Sequence, residues 1–217
     1  ENEFSIKIKT NRGGEKAEKN INSEKLLNLA RWKIKASVDE NGFVSASFTN
    51  NQKQIEVKHE RVAWSDWIKG TGGSPLFGPI DCEFYYLAQD PVTRQLLKKV
   101  DLKARDLKQF MESNRGFRIY RDQFRVRPYG EPSGKGDWLD IGYRKASSPG
   151  GLKQGGWRIG PNQILGAVLI SRENNSVLND QANREGLVEN DAFFQLRTFL
   201  LKVIETFELL AHKDAAG

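Results

Sequence analysis

The chain has 217 residues, a net charge of +6 and a single cysteine, Cys82. That length can bury a real core in one large domain or two small ones, and one cysteine excludes an intramolecular disulfide or a cysteine-rich zinc site. A reducing, cytoplasmic setting is expected, with no membrane span, because basic residues interrupt every long apolar run.

The opening ENEFSIKIKT begins with Glu1 and lacks the regions of a secretory signal, which suggests a module taken from a longer protein. Within it, residues 4–9 alternate apolar and basic side chains, the pattern of a half-buried strand. A polar loop follows over residues 11–20, and Ser23 stands where an N-cap belongs before the short helix EKLLNLA. WKIKASV and FVSASFT, separated by DENG, predict a β-hairpin, and residues 55–59 extend the same antiparallel sheet.

GTGGSPLFGP, residues 70–79, is the strongest break in the chain. It divides the sequence into a hairpin-rich subdomain, 1–69, and a larger α/β unit, 70–217. CEFYYL reads as the first strand of that unit. Pro91 then opens a helical region that stops before Gly116, with Leu96, Leu97, Leu102, Leu107, Phe110 and Met111 facing a core. FRIYRD and FRVRPY are short strands around Asp122 and Gln123. Residues 128–161, rich in Gly, Pro, Ser and charge, form a long loop carrying Trp138, Tyr143 and Trp157. ILGAVLIS is a buried strand, and an amphipathic helix over residues 191–211 packs its wide apolar stripe on a sheet. The fold class expected is α/β of the α+β kind, with a mixed sheet.

The chemistry of many enzymes has nothing to build on. His59 and His212 are the only histidines and neither has partners at ligand spacing, which argues against zinc hydrolysis or a Ser-His-Asp system. No phosphate-binding G-x-x-x-x-G-K-[ST] loop occurs, and GTGGS and GLKQGG read as turns. Charge is unevenly placed: residues 94–127 hold eleven Lys or Arg against four acidic residues. A solvated face explains that stretch. A nucleic-acid surface explains it too, with Lys98, Lys99, Arg118, Arg121, Arg125 and Arg127 on phosphates and Tyr120, Tyr129, Trp138 and Trp157 stacking on bases.

Two stretches carry the most information. The first is NRGFRIYRDQFRVRPYGE with the DWL that follows it, and the second is QILGAVLISRENNSVLNDQANREGLVEN. In the second a buried strand runs into a polar loop exposing Arg172, Arg184 and Glu185. An Arg fork on such a loop pairs with a phosphate, or else Arg184 ties the loop down through Glu185 or Glu189.

Together these stretches resemble the middle region of bacterial ATP-binding proteins of the GHKL superfamily, which includes gyrase B, the ninety-kilodalton heat-shock chaperones, MutL and the microrchidia proteins. The resemblance spans residues 78–210, and LLNLARWKIKASVDENGFVSASF looks like the adjoining hairpin region. It implies a transducer domain of ribosomal-protein-like βαβ fold, preceded by a small antiparallel β subdomain. It further implies that Arg184 reaches the γ-phosphate of a nucleotide held by an N-terminal ATPase domain, with Asn183, Glu185 and Asn190 orienting its loop. That domain's own signatures, the Glu/Asn helix for Mg²⁺ and the Asp-x-Gly-x-Gly motif, are absent from this sequence. DENGF at Asp39 sits in a hairpin pattern instead. ATP and Mg²⁺ are therefore implied for the full-length protein, as is homodimerisation. No cofactor or catalytic turnover is expected of this chain alone.

Overall fold

The computed structural model describes residues 23–132, 136–182 and 185–217. The strand expected at residues 4–9 and the loop expected at 11–20 lie outside them, as do Asn183 and Arg184. The first described elements are a short helix α1 (Ser23–Leu27) and three antiparallel strands, β1 (Trp32–Val38), β2 (Phe43–Asn50) and β3 (Ile55–Ala63). The β1–β2 turn forms where DENG stands: Asp39 Oδ1 accepts from Asn41 N and Phe43 N at 2.9 Å, and Gly42 takes φ +78. A single-turn helix α2 (Trp64–Trp67) leads into the Gly-rich segment and then β4 (Ile80–Tyr86).

The predicted helical region is two helices. Asp90 caps α3 (Pro91–Lys99) by accepting from Thr93 N at 2.8 Å, with Pro91 in the first turn, where its missing N–H costs nothing. Asp101 at φ +55 breaks the run before α4 (Ala104–Asn114). Then come β5 (Gly116–Arg121), β6 (Phe124–Val126), α5 (Ile141–Ser147) inside the long insertion, β7 (Ile164–Ile170) and the long helix α6 (Asp191–Ala216).

All seven strands join one mixed sheet in the order β3-β2-β1-β4-β7-β5-β6. The β5–β7 pair is parallel and the other neighbours are antiparallel. Strands from both sides of the Gly-rich segment meet in it, since β1 pairs with β4 from Trp32↔Tyr86 to Val38↔Ile80. The sheet is therefore continuous across residues 70–79. Asn175 staples that segment down, donating from Nδ2 to Phe77 O and Pro79 O and accepting from Ser171 N.

Side chains alternate across a strand, so each face has its own cover. On one face α6 lies over β1, β4 and β7, with Phe207 against Trp32, Phe84, Tyr86 and Trp157 at ring separations of 5.5–6.1 Å. Gly166 belongs to this packing, because a Cβ there would stand 2.7 Å from the Phe117 ring and 2.8 Å from Phe84 Cβ. On the other face α1, α3 and α4 cover Tyr85, Leu87 and Leu165 with Leu26, Leu97, Leu107, Phe110 and Met111. No described helix is long and apolar enough to cross a membrane.

The insertion is tied to α6 through Glu208, which is 1% exposed. Its carboxylate pairs with Arg144 at 3.0 Å and Arg158 at 3.4 Å and accepts from Ile159 N at 3.0 Å. Burial nevertheless outweighs these partners and raises its carboxyl above the ordinary value. A raised folded pKa means that the folded state holds the proton more tightly. Its contribution is fully present below the unfolded pKa and is lost as pH rises through the folded one. Glu208→Gln, which cannot ionise, is therefore expected to gain stability relative to the wild type as pH climbs from about 4 through the raised value. Urea denaturation of both proteins across that range measures the gap, and a gap that moves the other way contradicts the assignment.

Candidate functional site

The two informative stretches meet in space. After β7 the chain returns on itself: Asp180 and Leu187 form an antiparallel bridge, Gln181 N donates to Gly186 O at 2.8 Å, and Val188 N donates to Asn179 O at 2.8 Å. Gln181 Nε2 adds a bond to Leu187 O. These bonds close the base of a short loop, and Asn183 and Arg184 fall within its span, outside the described residues. Glu185 is exposed.

Tyr129, from the RPYGE stretch, holds the outgoing arm. Its hydroxyl accepts from Leu187 N at 2.8 Å. A Cβ on Gly186 would approach that hydroxyl to 2.9 Å, and Gly186 has φ +128, so only glycine fits without strain. Tyr129 is 6% exposed, and burial pushes its phenol above the ordinary value despite the amide bond, which works the other way. Its ring packs against Trp138 at 5.1 Å and Phe193 at 6.0 Å. Trp138 Nε1 donates to Phe117 O, and Arg197 Nε donates to Trp138 O. The motifs YGE, DWL and REGL thus converge beside the first turns of α6. Asn190 caps that helix by accepting from Phe193 N at 3.0 Å and ties it to the preceding loop through Val177 O.

A cleft of about 800 Å³ opens beside the incoming arm, against the β5–β6 hairpin. Among the described residues it is lined by Arg121, Arg125, Arg127 and Arg172, with Asp122 and Asp180 as its acidic members. Arg121 is 7% exposed; its Nη1 pairs with Asp180 at 2.7 Å and its Nη2 donates to Leu178 O. The hairpin turn is tight, with Asp122 at φ +47 and Gln123 at φ +73.

The basic residues singled out from the sequence do not share one surface. The register pairs Tyr120 with Arg125 and Arg121 with Phe124, so alternation sends Arg118 and Arg125 off the face opposite that of Arg121, and Arg125 joins the cleft lining from the other side of the hairpin edge. Arg118 is 8% exposed and donates to Ser113 O. Lys98 and Lys99 are exposed on the last turn of α3, away from the cleft lining.

The expected stacking aromatics need correction. Trp157 is 5% exposed and packs against Tyr86 and Phe207 in the core, and Tyr129 is buried as described. Among the described residues the most exposed rings are Phe124, at 78%, and Tyr143, at 76%, and of these two Phe124 lines the cleft. The histidines are structural: His59 sits between Phe48 and Trp67, and His212 meets Leu152 O at 2.9 Å. Among the described residues no group of His, Cys, Asp or Glu is arranged to hold a metal.

Tyr129→Phe leaves the Leu187 amide buried without its acceptor and is expected to cost about 1–3 kcal/mol. Amide hydrogen exchange at Leu187 is expected to speed up at the same time. Unchanged exchange there would show that the hydroxyl does not hold this arm. No protein-family model matches the chain, and no curated protein matches it.

Proposed function

We propose that this chain is the transducer module of a GHKL-type ATP-binding protein, delivering Arg184 to a nucleotide held by a separate N-terminal ATPase domain. The observation that supports the reading best is the closed base of the loop between Asp180 and Leu187. Both arms are hydrogen-bonded, one is anchored to Tyr129, and the arm before Asn183 borders an arginine-lined cleft. A loop with a fixed root sets where an arginine at its tip can reach. That lowers the entropy lost when it meets its anion.

The chemistry asked of Arg184 is electrostatic. A guanidinium stays charged at any working pH, and its fork matches a phosphate. When domain closure brings it to the transferring phosphoryl, it stabilises charge developing there, so turnover depends on docking. The Glu and Asn of an ATPase helix would hold Mg²⁺ and activate water on the other domain, and this chain's part is positioning and sensing. Asn190 and Glu185 belong to the loop's support in this reading, Asn190 through its cap on α6. In its family setting the full-length protein works as a homodimer in the cytoplasm.

In a protein carrying both the ATPase domain and this module, Arg184→Ala is expected to reduce ATP turnover by roughly a thousandfold, the scale of arginine-finger losses. The melting of the module should not move, since the substitution falls in sequence between the two hydrogen-bonded arms and removes none of their bonds. Steady-state phosphate release with thermal denaturation of the same samples measures both. Turnover at the wild-type rate would remove Arg184 from the mechanism.

A further inference from the structure

The arginines of the cleft are not equivalent, and the difference points to a ligand. Arg121 gives Nη1 to Asp180 and Nη2 to Leu178 O, which leaves its Nε alone unpaired among the described residues. Arg125 is less well served: its Nε and Nη2 are both buried and make no hydrogen bond among the described residues. Desolvation, followed by repulsion from Arg118, pulls its guanidinium below the usual value. Leaving buried donors of a cation unpaired is costly, and an incoming anion removes that cost.

Two further cations stand at the mouth. Arg172 has its side chain 81% exposed and, among the described residues, a long 3.9 Å contact to Asp122, and Arg127, 77% exposed, reaches Glu131 at 3.7 Å. Such solvent-exposed pairs are weak and exchange readily for a phosphate. Phe124 lines the same cleft with 78% of its surface in water. An aromatic ring left that open on an edge strand gains nothing for the fold.

We propose that the β5–β6 edge and its cleft bind single-stranded nucleic acid, with Arg125, Arg127 and Arg172 on successive phosphates and Phe124 stacked on a base. The pairing of ring and cations selects this ligand. Guanidinium forks fit phosphate oxygens bidentately, and an exposed ring accepts any unpaired base face. A duplex hides those faces in its own stack, so it satisfies the arginines and leaves Phe124 idle. An acidic peptide likewise answers the charge without the ring. The residues named for this ligand, Phe124, Arg125, Arg127 and Arg172, are different from the Arg184 of the proposed phosphate contact.

The test is fluorescence anisotropy with a labelled single-stranded oligonucleotide of roughly 16 nucleotides. Affinity is expected to fall with salt at a log–log slope of about −2, the value for three phosphate contacts on a single strand. Phe124→Ala should weaken binding by about ten- to a hundredfold at constant salt, the scale of one lost base–aromatic stack. Arg172→Gln should flatten the salt slope by about 0.7. Both side chains are largely exposed, so both variants retain the fold. Absence of binding in dilute salt overturns the proposal. So does equal affinity of Phe124→Ala and wild type, or competition by poly-glutamate as strong as that by unlabelled oligonucleotide.

Discussion

One hydroxyl group organises the region where the insertion, the loop after β7 and α6 meet. Tyr129 accepts the Leu187 amide inside a dry cluster of Trp138 and Phe193, and Gly186 has no side chain because that hydroxyl occupies the space. A hydrogen bond there is worth little in net terms while made and a good deal more when broken, since neither partner has water to turn to. The insertion, the loop after β7 and the start of α6 are consequently held as one body. Trp138 extends the body to β5 through Phe117 O and to α6 through Arg197.

The sheet then decides which charges are spent on structure and which are left over. Successive residues point to opposite faces, so FRIYR sends Arg118 and Arg121 to different sides, where each is largely buried. Arg121 meets a carboxylate and a carbonyl, the arrangement that makes a buried cation tolerable. Arg118 and Arg125 share their side with each other, and desolvation, followed by repulsion from Arg118, pulls the Arg125 guanidinium below its usual value. Folding alone gives no reason to place two guanidinium groups so. In the nucleic-acid proposal the hairpin edge is a surface kept for an anion.

Much of this architecture was legible in the sequence. The period-two runs gave β1, β2, β5 and β6, and the Asp122-Gln123 turn adopts the positive φ pair that such a hairpin demands. The wide stripe of α6 gave its burial, and the helix runs to Ala216, beyond its expected end near residue 211. Pairing between distant strands was not legible. The continuity of β1 with β4 across a segment as breaker-rich as GTGGSPLFGP depends on contacts that local pattern does not encode. The split of α3 from α4 was equally hidden, since Asp101 adopts φ +55 with no Gly or Pro to announce it. Aromatic exposure was misjudged for a related reason. Trp157 lies in a glycine-rich stretch that reads as surface, yet the Glu208 network draws the stretch down onto α6. Phe124 lies in an alternating run that reads as half-buried, yet its strand ends the sheet.

Helix α6 joins these features mechanically. Its first turn is capped by Asn190, whose side chain also grips the chain leading into the loop, and its later turns carry Phe207 into the sheet core and Glu208 into the insertion. A close-packed interior does not deform by degrees, so a displacement imposed at the loop moves the helix with the sheet or not at all. In the transducer reading this is the property required: the energy of docking at Arg184 appears as rotation of a rigid module. The hairpin edge rides on the same body through β5. A nucleic acid bound there would be carried with it, so that the two anion contacts stay chemically separate while sharing one movement.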